Sequence, residues 1–182
     1  MPEDEALLRA EALLRDLGAG ALAHPGGTLL AHLRRVRSRL AGWEARPALR
    51  IAGLCHAFYG TDGFPEPLLP LARRAELAHV IGREAEEIVY FYASCDRRAT
   101  YPTLAGPAPC FHDRFSGVRW SPAPHMLRDF ADLTAANELD LAEHDPAFRE
   151  RCGPDLLALF TRLRPLLSRA AWDECRRVLT AA

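Results

Sequence analysis

The sequence predicts an all-α fold, on three observations. Apolar residues recur at helical spacing along most of the chain. No segment shows the apolar–polar alternation of a half-buried strand. The Gly- and Pro-rich stretches fall mainly between the helical segments.

Residues 3–17 set Leu7, Leu8, Ala10, Leu13, Leu14 and Leu17 on a helix, with acids in its first turn. Gly18 and Gly20 stop it, and "AHPGGT" reads as a loop. A second helix follows in "TLLAHLRRVRSRLAGW", with Thr28 as its N-cap. Pro47 opens a third, "PALRIAGLCHAF", because proline suits the first turn. "GTDGFPEPLLP" is a loop. Two helical pieces broken near Gly82 cover residues 71–98. "VYFYA" has strand-like composition, but its neighbours "GREAEEI" are strong helix formers, so helix is predicted. Residues 100–124 read as an irregular, loop-rich insertion. Helices resume at 125–143, about 146–151, 154–167 and 168–180. No repeat or low-complexity tract interrupts this order.

The 182 residues are enough for one domain with a substantial core. The net charge of −1 offers no footprint for nucleic acid or an anionic membrane surface. All 23 basic residues are arginine, which removes Schiff-base lysines and a Walker-type phosphate loop. The five cysteines include no C-x-x-C pair, so a thiolate zinc site is not expected. Their odd number and the acidic, amphipathic start of the chain imply reduced thiols and a cytoplasmic protein. No apolar run approaches the roughly 20 residues of a membrane span. The oligomeric state is open, and a homodimer fits the sequence as well as a monomer does.

Of seven histidines, three draw attention. His32 lies among Leu29, Leu33 and Val36 on an amphipathic helix. His56 ends the next helix. His24 lies eight residues before His32. Asp96 ends the aromatic helix "EEIVYFYASCDRR". Two imidazoles and a carboxylate are a common first shell for non-haem Fe(II), and also for Zn(II) and Mn(II). The competing reading is a set of hydrogen-bonded core histidines and a solvated ion pair. His79, His112, His125 and His144 read as surface residues. Cys55 reads as a core thiol. Tyr59 follows His56 closely enough to reach the same cavity, or to pack a loop. Asn137 and Glu138 could bind substrate, though capping a neighbouring helix is favoured.

The stretch "TLLAHLRRVRSRL…LRIAGLCHAFYGTD…YFYASCDRR" resembles the HD-domain superfamily of all-α metal enzymes. On that resemblance His32, His56 and Asp96 are metal ligands and the fold is an HD-like helical bundle. Its core is about residues 20–100, its C-terminal helical part 125–182, in one domain. The chain is more similar still to a bacterial and fungal family of domains of unknown function with H-x-x-x-[ST]-L-x-x-H-L and F-H-S-x-Y-G-T motifs and a D-R step. Here these are His24, Thr28 and His32, then His56, Tyr59, Gly60 and Thr61, then Asp96 and Arg97. "LTAANELD" near 133–140 matches more weakly.

One departure bears on chemistry. The aspartate after the HD histidine is Ala57, which removes a metal-bridging oxygen and argues against a two-metal phosphoesterase. The resulting expectation is a metal-dependent enzyme acting on a small organic molecule. It leans to a mononuclear non-haem iron oxidoreductase or oxygenase with His24, His32, His56 and Asp96 as ligands. Tyr59 and Thr61 would orient the substrate, and Arg97 would pair with an anionic group. The alternatives are a Zn- or Mn-dependent hydrolase and a non-catalytic helical module binding a small molecule or a partner protein.

Overall fold

The computed structural model describes residues 2–180. Among them are nine α-helices and two small two-stranded antiparallel sheets. Helix α1 (Glu3–Asp16) buries Ala6, Leu7, Ala10 and Leu14, and its acids Glu3, Asp4 and Glu5 sit at the positive end of its dipole. The loop read in "AHPGGT" is a hairpin, β1 (Ala23–His24) with β2 (Gly27–Thr28). Its tip has Gly26 at φ +75°, and a Cβ there would come within 2.8 Å of the His144 ring. Two-residue strands carry no periodicity, so the pattern of the sequence could not reveal them.

Helix α2 (Leu29–Gly42) starts where expected, with Thr28 Oγ1 accepting the Ala31 N–H at 3.2 Å. Helix α3 (Pro47–Cys55) is shorter than its pattern, and His56 is its C-cap. Gly60, at φ +68°, then turns the chain against Pro65 and Phe64, where a side chain would strike backbone. A 3-10 turn (Leu71–Arg73) leads into α4 (Arg74–Ile81), and Gly82 separates it from α5 (Arg83–Ala93). The aromatic run 90–92 is helical, as its neighbours predict.

The insertion at 100–124 is more ordered than its composition indicates. Helix α6 (Arg97–Thr100) precedes it, and β3 (Phe111–His112) pairs with β4 (Arg119–Trp120). Asp113 holds the hairpin turn, its Oδ1 accepting the N–H groups of Phe115 and Ser116. Phe91 stacks on Phe111, and Phe130 meets both edge to face.

Helix α7 (Pro124–His144) is the axis of the molecule, packed against α2, α3, α5, α8 and α9. Every residue from Phe130 to Asp140 is buried. A helix covered on all sides must satisfy its polar groups internally, and Asp132, Thr134, Asn137, Glu138 and Asp140 all lie in that stretch. Helix α8 (Pro146–Leu163) is continuous where the sequence predicts two helices. Pro154 lies inside it; the ring costs a hydrogen bond, but packing against α7 and α9 keeps one rod. Helix α9 (Arg169–Leu179) is capped by Ser168, whose own N–H is accepted by Asp132. No helix among the described residues is long and apolar enough to cross a membrane.

Candidate functional site

Where α7 passes the first hairpin, α2 and the end of α3, a cavity of about 330 Å³ remains. That lies within the range of small-molecule sites. Its apolar lining is Leu29, Phe64, Leu141 and Phe148. Its polar lining is His24, His32, His56, Thr61, Arg97, Asn137 and Glu138.

The histidines converge. His24 stacks on His32 with ring centroids 4.1 Å apart. His32 and His56 meet edge to face at 5.4 Å. Helix periodicity places His32 toward α7, while the C-cap position of His56 turns its ring into the gap beyond α3. Tyr92 closes the far side of His56 at 5.5 Å.

The hydrogen bonds fix the roles of the ring atoms. His32 Nδ1 donates to Asp140 Oδ2 at 2.6 Å. Asp140 also accepts from Arg35, Nε at 2.8 Å and a terminal nitrogen at 2.9 Å. Burial works to raise the Asp140 pKa, but the bonds from His32 and Arg35 override it and hold the carboxyl well below the usual carboxylate range. Arg35 further donates to the carbonyls of Pro25 and Gly26, which ties the hairpin to the same carboxylate. His32 Nε2 lies 3.1 Å from Asn137 Oδ1. The amide orientation follows from its other bond: Asn137 Nδ2 donates to Glu138 Oε1 at 3.2 Å, and a carboxylate only accepts. Both nitrogens of His32 therefore face oxygen atoms, Asp140 Oδ2 on one side and Asn137 Oδ1 on the other.

His56 differs. Its Nδ1 donates to the Gly53 carbonyl at 2.9 Å, so its Nε2 carries the lone pair, and the Asn137 amide also lies against the ring. Burial, then the charge of His32, push its pKa down to about 3. His24 is lowered to about 4 by the same two causes. His32 thus stands between two imidazoles that burial and its proximity hold below the ordinary histidine range. Glu138 Oε1 also accepts from Arg97 at 2.9 Å, and Arg97 reaches the Tyr92 hydroxyl at 3.3 Å.

Against the sequence expectations, His24, His32, His56, Thr61 and Arg97 are brought to one cavity. Thr61 lines it while its Oγ1 accepts the Phe64 N–H. Arg97 is already paired with Glu138, so its charge is not free for an anion. Asp96 stands apart: its Oδ1 caps α6 through the Ala99 N–H at 2.9 Å. Tyr59 is also elsewhere, donating to Glu86 at 2.8 Å, where Arg74 makes a two-bond pair with the same carboxylate. Cys55 is buried, and burial pushes its thiol far up, as befits a core residue. His79 and His125 are exposed. His144 lies on the outer side of Asp140, its Nδ1 2.9 Å from the Asp140 carbonyl.

The carboxylate of the cavity comes from α7, not α5–α6. The preference for a capping role at Asn137 and Glu138 does not hold, and Asp140 carries a role the sequence did not single out. The available signal was "AANELD", three polar side chains in a segment otherwise suited to a core helix. Among the described residues, no three His, Cys, Asp or Glu side chains are arranged to hold a metal ion.

No curated protein and no solved structure matches the chain. Residues 13–97 match the family described as "Domain of unknown function (DUF6817)", a span that carries His24, His32, His56, Thr61 and Arg97 and ends before the polar face of α7.

Proposed function

We propose that the cavity is the active site of an enzyme performing acid–base chemistry on a small organic molecule. One observation carries the reading: the buried chain Asp140–His32–Asn137–Glu138–Arg97 ends on the cavity wall with a carboxylate held in place but not used up. Glu138 has one oxygen fixed by Arg97 and Asn137, so its second oxygen is set to accept a proton from a bound molecule. The guanidinium of Arg97, paired with Glu138, holds that carboxylate in place on the cavity wall. Leu29, Phe64, Leu141 and Phe148 supply the apolar lining against which the hydrocarbon part of a substrate would lie. Thr61 and Phe64, on the turn after α3, close the cavity over the reacting group.

A second reading retains the metal expectation, including iron, zinc or manganese. In its favour, His32 and His56 both have Nδ1 anchored by acceptors, as metal-bound imidazoles commonly do. Both rings also approach Asn137. A metal there would displace the His32 Nε2 proton and take its oxygen ligand from Glu138 or Asn137 rather than from Asp96. The HD-like arrangement of the fold belongs to this reading: adjacent helices present one histidine each, with Ala57 where the HD aspartate would stand.

Two measurements test the proposal. Elemental analysis of untagged protein separates the readings, since a near-stoichiometric transition metal favours the second. A substrate panel with wild type and Glu138→Gln then tests the first. Turnover in wild type that falls at least 100-fold in the variant with substrate binding retained supports it. Turnover unchanged in Glu138→Gln contradicts it.

A further inference from the structure

The chemistry of the ligand follows from which valences the cavity leaves open. Glu138 Oε1 accepts from Arg97 and Asn137, while Oε2 has no partner among the described residues. It is not one of the side-chain atoms sealed away without a partner, so it keeps access to the cavity. His56 donates from Nδ1 to Gly53, so its Nε2 presents a lone pair. Asn137 turns its Nδ2 to Glu138 and its Oδ1 toward the imidazoles. Three acceptors of the polar wall thus lie near one another. The charged donor of the wall is committed, Arg97 to Glu138 and Tyr92, and His32 is held by Asp140 and Asn137, so the free donors left are uncharged, the Thr61 hydroxyl among them.

Charge narrows the class. Arg97 balances Glu138, and Asp140 lies between Arg35 and His32. An anionic ligand would meet a carboxylate whose cation, Arg97, is already paired, and a cationic one would lie beside the Arg97 guanidinium. A hydroxyl group satisfies acceptors without bringing a charge into the cavity. The apolar wall of Leu29, Phe64, Leu141 and Phe148 sets the rest of the molecule.

We infer that the cavity takes a neutral, hydroxyl-bearing organic molecule, its hydroxyl donating to Glu138 Oε2 or His56 Nε2 and its hydrocarbon part lying against Phe64, Leu141 and Phe148. This rests on the cavity being a small-molecule site, and deepens that reading by naming the substrate class.

The test uses three probes on one skeleton: 2-phenylethanol, phenethylamine and phenylacetate. Binding to the full chain is followed by the side-chain NMR signals of His56 and His32. The expected result is saturable perturbation by 2-phenylethanol, at least tenfold tighter than either charged probe. Its affinity falls about tenfold in Glu138→Gln, whose fold is checked by circular dichroism. Tighter binding of phenylacetate or phenethylamine at the same signals overturns the inference while leaving the small-molecule site standing. Failure of all three probes to move those signals counts against the site itself.

Discussion

Asp140 shows how much one buried side chain can hold. It accepts from His32 and twice from Arg35, and Arg35 in turn holds the hairpin that carries His24. Asp140→Asn leaves Arg35 and the buried His32 ring without their carboxylate. A loss of about 3–5 kcal/mol is expected, read by urea unfolding at pH 7. His56 gives a pH effect of definite sign. It is faced by His32, His24, Tyr92 and Asn137, and its folded pKa of about 3 lies below the ordinary 6.5. Between those values the unfolded chain binds a proton that the fold refuses, so stability falls as pH drops below about 6.5. Asp140 shifts the other way in charge but the same way in consequence: its contribution is present above the ordinary carboxylate range and lost in stronger acid. Unfolding at pH 6.5 and pH 5 should differ in wild type by up to about 2 kcal/mol more than in His56→Gln. Equal pH slopes in the two proteins would mean that His56 is solvated in the native state.

At the scale of elements, the start of α2 is the part that sets His32. The Thr28 cap fixes where the helix begins, and four residues later His32 faces α7. Thr28→Ala should cost about 1 kcal/mol, measured by thermal or urea unfolding, with His32–Asp140 still formed. A loss below a few tenths would show that the cap contributes little. Most helices were legible because apolar spacing, caps and breakers agree: Thr28, Pro47, Gly82 and Ser168 all mark boundaries in the structure. The short hairpins were not, since two residues per strand leave no pattern to read. The site was legible in its histidines, each an imidazole on or beside an apolar helix. Its carboxylate was not, because Asp96 and Glu138 are equivalent in sequence until long-range packing decides. Asp96 is drawn off to cap α6, whereas the burial of α7 on all sides turns Glu138 into the gap that α2 and α3 leave.

The whole molecule is arranged around α7. Helices α2 and α3 pack on one another, α7 lies against both, and α8 and α9 cover its outer sides. Such packing converts a polar stretch of one helix into a buried network, since water is excluded and each group must find a protein partner. The cavity is where that network ends. Side-chain 15N NMR of histidine across pH tests this most directly. The account predicts that His56 is the Nδ1–H tautomer, with no titration above pH 4, and that His32 shows a strongly downfield Nδ1 proton from its bond to Asp140. Free titration of His56 near pH 6.5, with no protected proton on His32, would contradict the convergence of α2, α3 and α7 on one site.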